Sequence, residues 1–328
     1  MDIYKDTENR YNCTKETVDE MLEKYGVAVI PGVLDEFECN AMAFGMWNFL
    51  EHATSKFDVP IKRDDPATWK SIKHLWPQHG MLIQHWGIGQ AQMSWNLRQN
   101  PKIVDVFATI WDTRPEDLLV SFDGASFGMP PEVTNLGWNR GNGWLHCDQS
   151  FTRNNFECVQ SWVTAYDVRP GDATLTFIEG SHKHHAGFRA EHGIDVGTNW
   201  YRLAPDDVAF YTRKGCVQRA ITCPKGSLVL WDSRTIHAGL EPHKSRPLQN
   251  TRCVAYLCYM PRSRIIQPLV IEKRIKAFED GRTTSHWPDR VTLFAKKPNT
   301  YGTPLPPIEL PQPPVLSKLG RQLVGYKT

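Results

Sequence analysis

Apolar residues recur at helical spacing early in the chain and in short strand-like runs later, and the changeover near Leu118 divides the sequence. Val18, Met21 and Leu22 fall on one helical face, after Thr14, which suits an N-cap, and before Gly26, which suits the left-handed residue that ends a helix. The run Val27-Ala28-Val29-Ile30 then predicts a buried strand. Asp35 with Glu38 three residues on has the form of a capping box and opens a longer helix through Met42, Met46, Phe49 and Leu50. Asn100-Pro101 starts another, with Ile103, Val104, Phe107 and Ile110 on its buried face.

From Leu118 the spacing predicts strands over 118–122, 158–168, 175–178, 227–231 and 252–260, separated by Gly, Pro, Asp and Asn clusters, the cadence of an antiparallel sandwich or barrel. The polar stretch 56–99 has no clean period and reads as a lid or substrate-facing insertion. Its Trp76, His79, His85 and Trp86 fit an aromatic-lined pocket and ordinary core packing equally well. Residues 272–281 predict one more helix, and the proline-rich stretch 304–314 an extended arm on the surface. The expectation is one domain over 1–328: a helical part to about 117, a β core over about 118–265, and a C-terminal helix and arm from about 266.

With 328 residues, 41% of them hydrophobic, the chain can bury a large core. Lys and Arg total 38 against 36 for Asp and Glu with no long run of one sign, so no basic stripe points to nucleic acid. The first twenty residues lack the apolar core of a signal peptide, and no stretch approaches a membrane span, which predicts a soluble cytoplasmic protein. Eight cysteines without a CxxC pair predict reduced, mostly buried thiols.

Candidate chemistry begins at Trp144-Leu145-His146-Cys147-Asp148. A strand's period of two puts His146 and Asp148 on one face, where they can share a metal. Such a pair alone arises easily by chance among twelve histidines, and a surface turn is the alternative. The strand over 227–231 runs through a polar turn to His237, which can complete the set. Two histidines and one carboxylate leave three positions of an octahedral iron open, as O2 activation with a bidentate co-substrate requires; a four-ligand structural zinc site leaves none.

Four ordered segments resemble the phytanoyl-CoA dioxygenase family of Fe(II)/2-oxoglutarate oxygenases, over about 25–262. They are Tyr25-Gly26-Val27-Ala28-Val29-Ile30-Pro31-Gly32-Val33-Leu34, the His146-Cys147-Asp148 pair, Leu175-Thr176-Phe177-Ile178-Glu179-Gly180-Ser181-His182, and the segment from Asp232 to Gly239. The chain departs from the family at Glu179, where Pro is common, and at Asp172-Ala173, where Asn-Gly is common. The resemblance implies a mainly β fold with flanking helices, a cupin-like double-stranded β-helix or jelly roll. It also implies Fe(II) with 2-oxoglutarate and O2 as co-substrates, and hydroxylation of a small molecule with release of succinate and CO2. Asp148 stands where halogenating relatives carry a small residue, which argues against halogenation.

For the 2-oxoglutarate carboxylate the family uses an arginine about ten or eleven residues after the second histidine; here Arg246 and Arg252 lie nine and fifteen after His237. Arg246, in a polar loop before Pro247, reads as solvated. Arg252 heads an apolar strand whose alternation sends it inward with Val254 and Tyr256, and it is the expected anchor. Trp162 is carried over as an aromatic beside the co-substrate, with a plain core role equally open. Trp144, Gln149 and His85 are expected toward the substrate, against core packing or a polar rim. His182 reads as part of a structural turn rather than a ligand. A fold-sharing binding protein without turnover and a cupin-type isomerase or hydrolase are the rival readings. The family acts on too wide a range of molecules for its name to fix the substrate.

Overall fold

Strands carry the second half of the chain, and their order explains why several are apolar on both faces. The computed structural model describes residues 3–76, 80–141, 143–195, 197–300 and 304–327; His79 lies outside them. In chain order the strands are β1 (Val27–Ile30), β2 (Leu82–Ile83), β3 (Leu118–Val120), β4 (Ala125–Gly128), β5 (His146–Cys147), β6 (Val159–Thr164), β7 (Thr174–Ile178), β8 (Tyr201–Arg202), β9 (Gln218–Ala220), β10 (Leu228–Asp232), β11 (His237–Leu240) and β12 (Arg252–Pro261). The larger sheet runs β1-β10-β6-β12-β4-β2, with β3 also on β12, and the smaller runs β8-β5-β11-β7-β9. Every pairing within them is antiparallel. From β4 to β7, and again from β9 to β12, the chain alternates between the sheets, which is the winding of the expected jelly roll.

Register assigns the faces. Trp162 lies opposite Val229 and Tyr256, and Gln160 opposite Trp231 and Cys258. Trp162, Val229, Trp231 and Val254 form a core between the sheets with Leu175 and Phe177 of β7. The alternate positions Val163, Leu228, Leu230, Ala255 and Leu257 pack outward on a second core built with the helices Glu36–Ala53 and Pro101–Ile110. Helices cover one face of the larger sheet and the smaller sheet covers the other, so its strands read as continuous apolar runs rather than alternating ones. Each fully buried Leu, Val or Phe on these faces contributes about 1.5–3 kcal/mol.

The helix signals are realised with shifted ends. Both halves of the Asp35–Glu38 capping box form, and the Asn100 side chain accepts from Lys102 N. The first helix, Val18–Tyr25, begins after Thr17 rather than Thr14, whose N–H instead binds Thr17 Oγ1; it does end on Gly26 at φ +79°. The helix expected over 272–281 spans Leu269–Glu279, and Lys318–Val324 adds one that the sequence pattern did not show. Residues 304–314 form no helix or strand; Glu309 N bonds Ala53 O, and Leu305 and Ile308 pack on the core.

The lid expected over 56–99 is not what forms there. Ile72, Leu75, Ile83, Trp86, Ile88 and Trp95 are buried in the large core, and Trp95 Nε1 donates to Gln90 Oε1 at 2.7 Å. The tryptophans that disturbed the periodicity fill irregular space around a ten-residue 3-10 helix at Pro66–Leu75 and a 3-10 turn at Ile88–Gln90, whose three-residue turn departs from the 3.6-residue period that marks an α-helix.

Candidate metal centre

Strands β5 and β11 lie side by side in the smaller sheet with His237 directly opposite His146, so ladder pairing alone brings together two histidines ninety-one positions apart. Their ring centres are 4.4 Å apart. Asp148 follows β5 and completes the group: its Oδ1 lies 3.5 Å from His146 Nε2 and its Oδ2 3.3 Å from His237 Nε2. All three residues are buried, with ligand atoms within 4.8 Å of one another, a set that could hold a metal ion.

Hydrogen bonds orient each imidazole. His146 Nδ1 is 3.1 Å from Trp144 O and His237 Nδ1 is 2.9 Å from Thr235 O. A carbonyl can only accept, so each Nδ1 carries a proton, and Nε2, the nitrogen facing Asp148, is the atom left to a metal. Gln160 Nε2 donates to Asp148 Oδ2 at 2.8 Å. Burial by itself would raise the Asp148 carboxyl; the positive charge of His146 and His286 when protonated, with hydrogen bonds from protonated His146 and His237, overrules it and holds the group well below the ordinary carboxylate range, a part that a bound cation would play with both Nε2 atoms deprotonated. Burial pushes His237 down, toward the neutral form. A buried carboxylate facing two imidazole Nε2 atoms is a donor set that fits a divalent cation.

Trp144 stacks on His146 with ring centres 4.7 Å apart and planes 9° apart, and its Nε1 donates to Gly239 O. It therefore lies against the triad. Gln149 does not fit the mouth position expected for it: it is fully buried, its amide nitrogen donates to Arg153 O and Asn155 O, and its Oε1 accepts from Ser233 Oγ. All of its polar capacity goes to fixing the loop after Asp148. His85 is buried beside Trp86 and Phe294, and no contact among the described residues joins it to the triad.

Arg252 enters the barrel from the head of β12. Its Nε donates to Ser126 Oγ at 2.9 Å and Nη1 to Ala173 O at 2.8 Å, and its guanidinium carbon lies 5.6 Å from the Trp162 ring centre. Among the described residues no carboxylate comes within ion-pair distance of it. A narrow cleft beside it is lined by Arg246, Asp167, Asp172, Ala173, Thr164 and Val254. Trp162 and Trp231, the latter 5.3 Å from the His237 ring, each bury an indole N–H without a partner among the described residues. Arg246 is not the solvated residue its loop suggested: its side chain is 2% exposed and clamped between Glu132, 2.6 Å away, and Asp172, 3.0 Å away. Two acids neutralise it.

The departures at 172 and 179 have partners. Asp172 takes Arg246 and Asn250, and Glu179 takes Arg10 at 2.8 Å and the Tyr11 hydroxyl at 2.6 Å. His182 is structural, as read: its Nε2 meets Glu23 O at 3.0 Å, while Ser181 Oγ accepts from Ile236 N and Gly180 N bonds Tyr25 O.

One residue near the centre escaped the sequence reading. His286 lies in a turn closed by Ser285 N to Thr292 O and held by Arg274 Nη1 to Pro288 O. Its imidazole is pushed down by burial and feels the charges of Asp148, Asp123, His237 and His146, and its Nε2 is buried without a partner among the described residues. No period or motif marks the segment around it.

The family model described as phytanoyl-CoA dioxygenase (PhyH) matches residues 22–246. The Ava biosynthesis cluster protein O of Aspergillus versicolor is 26% identical over 242 residues, 71% of this chain and 75% of that protein. Among solved structures, a protein of Salmonella typhimurium LT2 covers 94% of this chain and 82% of its own, with 13% identity and a TM-score of 0.55. The GlcNAc-inducible gene 2 protein of Candida albicans covers 80% and 67%, with 14% identity and a TM-score of 0.53. At these identities the solved structures share the fold. Among the described residues no helix is long and apolar enough to cross a membrane.

Proposed function

The chain belongs to the phytanoyl-CoA dioxygenase family, which works with Fe(II), 2-oxoglutarate and O2, and from that premise we propose that it hydroxylates a small-molecule substrate. The observation that carries this reading is the convergence of His146 Nε2, His237 Nε2 and Asp148 on one point inside the jelly roll. Those three residues would hold the iron, with Trp144 O and Thr235 O fixing the tautomers and Gln160 steadying the carboxylate. When bound, the iron with its co-substrates supplies an oxidation in which 2-oxoglutarate becomes succinate and CO2 as a substrate C–H bond is oxidised.

Arg252 is the residue suited to the distal carboxylate of 2-oxoglutarate. It is buried and fixed by Ser126 and Ala173, and no acid among the described residues pairs with it. Glu241 feels its charge without forming an ion pair, so among the described residues the buried guanidinium lacks a direct anionic partner, which a carboxylate ligand would supply. Trp162 walls the same space and keeps water from the charge pair. Asp148 supplies the carboxylate ligand whose loss would make room for a halide, so the site favours hydroxylation over halogenation.

Succinate release coupled to O2 uptake, stimulated by one member of a metabolite panel, tests the reading. Succinate formation lost in His146→Ala and Asp148→Ala supports it. Turnover of a substrate without O2 or 2-oxoglutarate would favour a cupin-type isomerase or hydrolase instead.

A further inference from the structure

Trp200 is left unexplained by the chemistry above. The residue is 53% exposed, and its backbone sits at φ +67°, a region disfavoured for any residue with a Cβ. Neither feature comes from a loose segment. Asn199 Oδ1 accepts from Ser150 N at 3.2 Å and from Arg153 Nη2 at 2.5 Å. Tyr201 pairs with Cys147 and Arg202 with His146 in the β5–β8 ladder. Both chain neighbours of Trp200 are thus fastened to the segment that carries His146 and Asp148.

The consequence is a rigidly placed, solvent-facing indole whose centre lies 6.1 Å from that of the His146 ring, tilted 36° to it. Trp144 stacks on the same imidazole. A large aromatic held in a disfavoured backbone conformation beside a metal-ligand candidate gives up both burial and local stability in the free protein, the pattern of a residue kept for what it binds. Indole faces favour flat partners, through offset or edge-on ring packing as well as area.

We infer that the substrate presents a planar unsaturated ring or fused-ring face, and that Trp200 is the platform it stacks on. The inference rests on the iron-centre reading of the proposed function and adds to it the chemical class of what is oxidised. The aromatic pocket suggested by the tryptophans of 56–99 thus moves to Trp144 and Trp200, since Trp86 and Trp95 are core. Trp200 touches substrate in this scheme and leaves the metal and 2-oxoglutarate to other residues.

The test uses the anaerobic Fe(II)–2-oxoglutarate complex of the full chain, whose visible charge-transfer band responds when a molecule packs against the metal. The probes are 2-naphthol and its saturated counterpart 2-decalol, alike in skeleton and hydroxyl but unlike in flatness. The parent should bind 2-naphthol about tenfold or more tightly than 2-decalol, read from the titration of the band shift. Trp200→Ala should erase that preference while keeping the 2-oxoglutarate band, which reports that the site is folded; Trp200→Phe should keep most of it. A band that forms but ignores 2-naphthol, or a Trp200→Ala variant that binds it as the parent does, overturns the inference alone. A parent with no band at all removes the iron reading, and the inference falls with it.

Discussion

Gln160 Nε2 donates to Asp148 Oδ2 at 2.8 Å, and that oxygen lies 3.3 Å from His237 Nε2, so one amide on β6 fixes the carboxylate against a histidine of the other sheet. Partners of this kind around a metal ligand are worth about 10–100-fold in affinity. Gln160→Leu should therefore weaken Fe(II) or Co(II) binding by roughly that factor while leaving the thermal transition of the metal-free protein little changed. Unaltered affinity in a metal titration would mean that Asp148 is held by other contacts.

Arg246 and Arg252 should separate cleanly. Arg252→Lys keeps the charge but loses the planar fork, and 2-oxoglutarate affinity should drop on the order of tenfold or more. Arg246→Ala should leave that affinity near the parent's but strand Asp172, and losing one partner of a buried pair costs about 3–5 kcal/mol. Urea denaturation and 2-oxoglutarate titration on both variants check the pair. Loss of co-substrate binding in Arg246→Ala alone would exchange the two roles.

Acid should destabilise the protein through His185. Burial pushes its imidazole down from 6.5 to about 4, against a hydrogen bond to Ser150 O and a stack on Phe151 at 4.5 Å. Between those values the unfolded chain binds a proton that the folded one does not. The contribution is therefore complete above about pH 6.5 and lost as pH falls toward 4, roughly 3 kcal/mol in all. Urea midpoints measured with a chelator present should fall from pH 7 to pH 5, and His185→Gln should flatten that slope. A slope identical in the variant would assign the effect to other histidines.

Gly26 joins the first helix to β1 at φ +79°, where a Cβ would meet Thr235 Oγ1 at 2.5 Å and His182 Nδ1 at 2.6 Å. Gly26→Ala should cost about 2 kcal/mol or more, from backbone strain and from displacing the turn that leads to His237. A thermal midpoint within a degree of the parent's would show that the turn yields freely.

The same contact shows why the site was legible in the sequence. Tyr25-Gly26, Gly180-Ser181-His182 and Thr235-Ile236 are far apart along the chain yet hydrogen-bond to one another, through Gly180 N to Tyr25 O, Ile236 N to Ser181 Oγ and Thr235 Oγ1 to Gly26 O. Turns that must interlock constrain residue type locally, and such motifs can be read. Arg252 was readable because a charged residue in an alternating apolar strand has one inward direction. Arg246 was not, since its two acids, Glu132 and Asp172, come from other segments and only the fold brings them within reach. His286 and Trp200 had no signal for the same reason: each lies in a turn without period, and its place beside the triad is set by ladder and loop contacts made elsewhere. The stretch 56–99 failed differently, because a 3-10 helix and turn packed through scattered tryptophans do not keep the 3.6-residue period of an α-helix.

The most direct measurement is an anaerobic titration of the Fe(II)-loaded protein with 2-oxoglutarate, followed by its visible charge-transfer absorption. A saturable band should appear in the parent, vanish in His146→Ala and His237→Ala, and need far more 2-oxoglutarate in Arg252→Ala. No band in the parent, or one that survives removal of either histidine, would contradict an iron centre built on His146, Asp148 and His237.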